Sequence, residues 1–190
     1  MAFNMSTLVT NRTLQDVQRV NALSIKGRDM TSVELAEWWG SETALLADSN
    51  MYELIDSEGA VLLVVTKQGT GHKGAYNFAD LNRVGAAIAY VSGRLLECGI
   101  SVDVLPKQDW SESDTPTSSQ MERYRSDIAA LRDALEAMPT TPQVPATMEG
   151  LTWSGANAIE KILQDTDILI TNMKATWFFS GDLFSGEVKA

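Results

Sequence analysis

The chain has 190 residues, of which 44% are hydrophobic, so it can bury a substantial core and is most simply one domain. Its formal net charge is -10, and its longest basic grouping, Arg123, Arg125 and Arg132, lies in a mixed-charge segment rather than on a clustered basic face. These features exclude nucleic-acid binding through counterion release. With one cysteine and one histidine, the chain has too few of these residues for a disulfide framework or a zinc site. It shows no signal-peptide pattern and no apolar run of about 18 residues, so we expect a soluble protein with no membrane insertion.

Two short helices and a β-hairpin are predicted in the first 74 residues. The first helix runs from about Leu14 to Lys26, and the second follows the capping box at residues 31–34 and ends at Gly40. The segments MYELID and AVLLVVT flank a turn at residues 57–59 and predict a β-hairpin. Residues 29–66 contain eight acidic and no basic residues. We therefore expect an N-terminal helical segment over 1–40 and an acidic hairpin insertion over 41–74.

Three long helices are predicted over residues 75–190, because apolar residues recur there at alternating spacings of three and four. The helices span about Phe78 to Glu97, Ser118 to Ala137 and Gly155 to Thr176. A period of 3.5 residues keeps each apolar seam facing a neighbouring helix, so the predicted fold class is mainly α, a helical bundle. The seams are Leu81, Val84, Ile88, Val91, Leu95 and Cys98; Met121, Tyr124, Ile128, Leu131, Leu135 and Met138; and Ile159, Leu163, Thr166, Ile170, Met173 and Trp177.

A repeated motif marks the helix starts. Residues 80–84 (DLNRV) match residues 16–20 (DVQRV) in their order of acid, apolar, amide, arginine and apolar side chains. A capping residue stands three positions before each acid, as a capping box requires. The capping pairs are Thr13 and Asp16, Asn77 and Asp80, Thr117 and Gln120, and Ser154 and Asn157. Arg19 and Arg83 can pair with their acids along the helix surface. We interpret the motif as structural rather than reactive.

A glycine loop, Gly69 to Gly74, spells the G-x-G-x-x-G pattern of dinucleotide-binding proteins. However, three residues separate it from the preceding strand, and the next helix begins after its last glycine. In the fingerprint the glycines themselves form the turn into the helix, where the pyrophosphate binds. The sequence therefore favours a hinge between hairpin and bundle, and His72 in this loop is interpreted as a solvated side chain.

Three further sets of residues are candidate sites. Asp109, Glu112 and Asp114 surround Trp110, which suggests either a sugar-binding cluster or a polar entry to the next helix with Trp110 against the bundle; we favour the second. Cys98 is interpreted as a buried apolar residue. The C-terminal aromatic segment, residues 177–184 (WFFSGDLF), either folds back over the bundle or anchors on another chain, and we favour the first.

Several stretches resemble a family of tail or baseplate-associated structural proteins encoded by phages and prophages of Gram-positive gut bacteria. They are KGAYNFADLNRVGAAIAYV (73–91), PKQDWSESDTPTSSQMERY (106–124), MPTTPQVP (138–145), LTWSGANAIEKIL (151–163) and WFFSGDLFSGEV (177–188). The resemblance covers about residues 11–39 and 73–188, and the chain departs from the pattern over 40–72. It implies a virion component, assembled in the bacterial host cytoplasm, with no catalytic residues to carry over.

The sequence thus predicts a non-enzymatic virion structural protein that acts through subunit assembly, with no catalytic, cofactor-binding or metal-binding residues. The expected partners are other virion proteins and further copies of the chain. The alternative is a host-glycan-binding module of a phage adsorption device, with Trp110, Trp153 and the hairpin as the sugar-facing surface. A nucleotide-dependent enzyme that uses the glycine loop is the third hypothesis.

Overall fold

A computed structural model describes residues 3–17, the backbone of strands 51–55 and 61–66, residue 74, and residues 76–111 and 113–177. Over these residues the chain is mainly helical, so the predicted fold class is confirmed at that level. The predictions that fall on the second short helix, the hairpin turn at 57–59, Arg19 and the aromatic residues beyond Trp177 lie outside the described residues.

Three long helices dominate the described part: α1 (Phe78–Glu97), α2 (Ser118–Asp133) and α3 (Trp153–Ala175). A 3-10 turn (Met5–Thr7) lies near the N-terminus, and a helix begins at residue 14. Strands β1 (Met51–Ile55) and β2 (Val61–Thr66) pair antiparallel, with Tyr52 opposite Val65 and a register irregularity between Leu54 and Ile55.

Side-chain caps explain where two of the long helices begin. Asn77 caps α1 and forms a full capping box with Asp80, and Thr117 does the same for α2 with Gln120. The predicted cap of α3 is wrong: its N-cap is Thr152, whose hydroxyl accepts from the Gly155 N–H at 3.1 Å. A threonine two positions earlier offers the same acceptor, so the helix starts earlier than the serine implied.

The predicted seams form the core. Their central residues, together with Ile162 and Trp110, are buried: Leu81, Val84, Ile88, Val91, Leu95, Tyr124, Ile128, Leu131, Ile159, Leu163 and Ile170. Each such side chain contributes about 1.5–3 kcal/mol on burial. The last residues of two predicted seams lie outside their helices. Helix α2 ends at Asp133, before Leu135 and Met138, and Trp177 lies beyond α3 and is 46% exposed. Cys98 is half-buried against this core, not fully buried.

The segment between α1 and α2 crosses the helices as extended chain and approaches α1 closely. A Cβ placed on Gly85 of α1 would lie 2.3 Å from the backbone oxygen of Lys107, so only glycine permits this approach. Gly74 has a similar function, because a Cβ there would lie 2.1 Å from the backbone oxygen of Asp16. At both glycines, the backbones of two separate segments can therefore pack in direct contact.

Candidate functional site

Four charged residues meet in the interior, and we call them the charge cluster: Arg12, Asp80, Arg83 and Glu160. Arg12, Asp80 and Glu160 are 3%, 2% and 0% exposed. The residues come from the N-terminal segment, α1 and α3, so the cluster joins three parts of the chain. Two positive and two negative groups balance one another, as buried charges must.

Glu160 is the centre of the charge cluster. Its Oε1 accepts from Nη2 of Arg12 at 2.6 Å and from Nη2 of Arg83 at 2.8 Å. Its Oε2 accepts from the Val9 N–H at 2.5 Å and from Nε of Arg83 at 3.2 Å. One carboxylate therefore binds two guanidinium groups and one backbone amide.

Asp80 completes the cluster from the first turn of α1. Its Oδ1 accepts from Nη2 of Arg12 at 3.1 Å and also pairs with Arg83, while its Oδ2 accepts from the Asn77 N–H at 3.0 Å. Burial alone would lower the pKa of the Arg83 guanidinium. The hydrogen bond to Glu160 and the negative charges of Glu160 and Asp80 outweigh this effect, so the pKa is raised overall. The expected surface pair of Arg83 and Asp80 does form, but the prediction placed it wrongly, since it lies within the buried cluster.

Two tyrosines, the buried Tyr124 and the half-buried Tyr76, lie beside the charge cluster. The hydroxyls of Tyr76 and Tyr124 are 2.7 Å apart, and the guanidinium of Arg12 lies 5.3 Å from the centre of the Tyr76 ring. Burial, followed by the negative charge of Glu160, raises the pKa of Tyr76 well above its ordinary value. Burial also raises the pKa of Tyr124. Both phenols therefore remain protonated and act as hydrogen-bonding groups rather than as bases.

Two asparagines hold extended segments against the helices by the same device. Asn82 of α1 accepts from the Trp110 N–H and donates to the Trp110 carbonyl, both at 2.8 Å. Asn157 of α3 accepts from the Arg12 N–H and donates to the Arg12 carbonyl, both at 2.9 Å. Each side-chain amide thus forms the two backbone hydrogen bonds that a neighbouring strand would form with that residue. These bonds satisfy backbone groups that would otherwise be buried without partners.

The motif at residues 80–84 is accounted for by these contacts. Asp80 and Arg83 belong to the charge cluster, Asn82 binds the Trp110 backbone, and Leu81 and Val84 lie in the core. Each residue type is required by a packing or pairing contact. The structural interpretation of this motif is supported, although its contacts extend well beyond a helix start.

The sugar-platform interpretation of Trp110 does not fit its position. Trp110 is 5% exposed and packs in the core, and Nζ of Lys107 lies 4.8 Å from the centre of its ring. Asp109 pairs with Lys107 at 2.6 Å, and Asp114 accepts from the Ser111 N–H at 2.9 Å. Glu112 lies outside the described residues. The ring is therefore covered, in agreement with the interpretation that Trp110 packs against the bundle.

A cavity of roughly 270 Å³ lies next to Trp110, between α2 and the extended segment. Its lining includes Tyr124 and the carboxyl of Asp127, which accepts from the Leu105 N–H at 3.2 Å and from Nε of Arg123 at 2.8 Å. Burial raises the pKa of Asp127, and the Leu105 N–H and Arg123 partly offset this effect. Asp127 thus holds the extended segment on α2.

Of the glycine loop, only Gly74 is among the described residues, and it packs against the backbone of Asp16. His72 and Gly69 lie outside the described residues. Helix α1 begins at Phe78, four residues after Gly74, and Asn77 rather than a glycine forms the turn into it. The phosphate-binding geometry of the fingerprint, in which a glycine begins the helix, does not occur at α1.

Arg12 and Glu160 were not identified from the sequence as a pair. A signal for Glu160 exists, because it occupies an inward position of α3 together with Ala156, Ile159 and Leu163, at spacings of four and three. An acid at such a position requires a buried cation. No comparable signal marks Arg12, which lies outside any helix.

No family model, curated protein or solved structure matches the chain at a significant level. Within the described residues, no three His, Cys, Asp or Glu side chains converge as metal ligands would. In this same part of the chain, no helix is both long enough and apolar enough to cross a membrane.

Proposed function

We propose that the protein is a non-enzymatic structural component of a phage virion, associated with the tail or baseplate, that acts through contacts between subunits. In this proposal the assembling unit is the bundle of three heptad-patterned helices with two shorter N-terminal helices and the β-hairpin as an insertion. Its partners are further copies of the chain and other virion proteins, and assembly takes place in the bacterial host cytoplasm. The resemblance at residues 73–91 and 106–124 supports the proposal.

One observation carries the assembly role: apolar side chains are exposed where α1 and α3 end together. Nζ of Lys174 lies 2.5 Å from the Glu97 carboxylate, so the two helix ends are neighbours. Leu96 directly precedes Glu97 and is 63% exposed, and Trp177 lies three residues after Lys174 and is 46% exposed. The chain continues from Trp177 into a segment that contains Phe178, Phe179 and Phe184. Exposed apolar side chains at two neighbouring helix ends are typical of a surface that another chain covers.

The charge cluster supports a structural role in a second way. Its residues are nearly inaccessible and bind one another, so they hold the N-terminal segment on α1 and α3 rather than facing a substrate. The glycan alternative is less favoured, because the ring of Trp110 is covered by Lys107 and by the core.

The proposal is tested by light scattering on the full chain over a range of concentrations. The double variant Leu96→Ser, Trp177→Ser is expected to shift the mass toward the monomer. Leu105→Ser is the matched control: Leu105 is 73% exposed but belongs to the extended segment, two residues before Lys107, which packs on Gly85 in the first half of α1. The control should leave the mass unchanged.

Mass spectrometry of purified virions tests the location. The proposal expects the chain in virions at a fixed ratio to the other tail proteins. A chain that is absent from virions, or a double variant that assembles as the wild type does, contradicts the proposal.

A further inference from the structure

We propose that the cavity between α2 and the extended segment is a binding site for a small monocarboxylate with an apolar body. The inference goes beyond the proposed function and does not depend on it, since it concerns a ligand and not a contact between subunits. We call this space of roughly 270 Å³ the donor cavity, and the polar residues that line it are Lys107, Trp110, Gln120, Arg123 and Asp127.

The polar side chains of the donor cavity offer mainly hydrogen-bond donors. Lys107 and Arg123 are cations that carry no acceptor atom. The oxygen of Gln120 serves the capping box, 2.9 Å from the Thr117 N–H, so its NH2 group is left with two donors and no partner among the described residues. Both oxygens of Asp127 already accept, one from a backbone N–H at 3.2 Å and one from Nε of Arg123 at 2.8 Å. A ligand that fits this lining must therefore supply acceptors.

A buried donor of the lining is also without a partner. Trp110 is 5% exposed, and its indole Nε1 forms no hydrogen bond within the described part of the chain. An indole N–H can only donate, and a buried donor without an acceptor is unfavourable. An acceptor that binds against the edge of the ring can satisfy this N–H after a small shift of the surrounding side chains.

The charges of the lining select an anion. Lys107 and Arg123 line the donor cavity together with one carboxylate, that of Asp127, which leaves one positive charge in excess among the described lining residues. The other acids that pair with these two cations lie on the surface: Asp109, beside Lys107, and Asp103, beside Arg123, have side chains that are 86% and 97% exposed. Exposed ion pairs contribute little, so a ligand carboxylate can replace them at low cost.

The rest of the lining determines the body of the ligand. Leu105, Pro106 and the rings of Trp110 and Tyr124 form an apolar wall. The volume lies below the roughly 300–1,000 Å³ of cavities that hold drug-sized ligands, so the body is about one ring or a short aliphatic chain. Leu105 and Gln120 are both exposed, so the cavity opens to solvent and a ligand can enter.

The test is isothermal titration calorimetry of the full chain with phenylacetate at about pH 7, where a carboxylate is ionised. Phenylacetamide is the matched control, because it has the same shape but no charge and places an NH2 group against a lining of donors. We expect phenylacetate to bind at least about tenfold more tightly than phenylacetamide. Absence of phenylacetate binding, or equal affinity for the two compounds, overturns the inference.

An acetylated peptide that ends in phenylalanine with a free carboxylate distinguishes two sources of the ligand. Tighter binding of the peptide than of phenylacetate assigns the site to the C-terminus of another chain. Weaker binding assigns it to a free small carboxylate. Both results support a carboxylate site, provided that the amidated form of the peptide does not bind; equal binding of the amidated form overturns the inference.

Two variants test whether the ligand binds in the donor cavity. Gln120→Glu keeps an acceptor for the capping box, so it should fold as the wild type does, but it replaces two donors by a negative charge and should weaken phenylacetate binding at least about tenfold. Ser119→Glu is the matched control, since it adds the same charge in the same helical turn at an exposed residue outside the lining, and it should leave the affinity within about twofold.

Urea unfolding of both variants shows whether they fold. A folded Gln120→Glu variant that binds phenylacetate as the wild type does places the ligand elsewhere and overturns the inference. The proposed function is unaffected by either result, because the presence of the chain in virions and its mass in solution are measured without the ligand.

Discussion

The substitution Glu160→Gln removes one buried charge from the charge cluster while it retains nearly the same shape. Arg12 and Arg83 then face Asp80 alone, and one positive charge is left uncompensated. The glutamine amide can still accept one bond through its oxygen, but its NH2 group points donors at a site that already contains two guanidinium groups. We therefore expect a large loss of stability from a change of a few atoms.

The size of the loss follows from two opposing contributions. At an effective dielectric constant of about 20, each contact of Glu160 with an arginine at about 4 Å is worth roughly 4 kcal/mol, so two contribute roughly 8 kcal/mol. Relief of the desolvation of the Glu160 carboxylate returns several kcal/mol of this. The remainder agrees with the 3–5 kcal/mol typical when one partner of a buried pair is removed, so we expect about 4 kcal/mol. That corresponds to a decrease of roughly a thousandfold in the folding equilibrium constant.

The assay is urea unfolding followed by circular dichroism, with the midpoint and slope fitted for each variant. Glu122→Gln is the control, because Glu122 pairs with Arg125 at 2.5 Å but its side chain is 58% exposed; its midpoint should match that of the wild type. The double variant Arg12→Met, Glu160→Gln restores charge balance, so it should lose clearly less than the sum of the two single losses. A loss below about 1 kcal/mol for Glu160→Gln, or strictly additive single losses, would refute the reasoning about the cluster.

Three further predictions use other parts of the described structure. Gly85→Ala should lower the free energy of unfolding by about 1–3 kcal/mol, because its Cβ would meet the Lys107 carbonyl. Gly93→Ala lies in the same helix, where a Cβ would have no atom within 4 Å, and should raise that free energy by about 0.5–1 kcal/mol. Urea unfolding measures both, and changes of the same sign would contradict this prediction. Tyr76 and Tyr124, with raised pKa values, should ionise only on unfolding. Their contribution to stability is therefore constant below about pH 10, the ordinary tyrosine pKa, and falls as the pH rises above it; ultraviolet titration that shows all tyrosines ionising with ordinary pKa values would argue against this. Asn82→Asp should cost about 1–3 kcal/mol, since the carboxylate cannot donate to the Trp110 carbonyl, and an unchanged unfolding midpoint would disprove the role of this amide.

The helices could be predicted from the sequence because their signals are local and repeated. The apolar seam of α1 and its capping box at Asn77 agree with the structure at both ends of the helix. The start of α3 was placed wrongly, because Thr152 and Ser154 are equally good caps and their sequence context does not distinguish them.

The charge cluster could not be predicted in the same way. Arg83 was assigned to a surface pair because i,i+3 partners are neighbours on any helix, exposed or buried. Its burial depends on Arg12 and Glu160, which lie 148 residues apart in the chain and meet only in the folded protein. Long-range pairing of charges has no periodicity, so the contact between Arg12 and Glu160 became visible only with the structure.

The most direct test of assembly is the absolute molar mass of the purified full chain by light scattering at increasing concentration. We predict a mass that rises to an integer multiple of 20.7 kDa and stays there. A mass of one chain at every concentration would contradict assembly through the exposed helix ends.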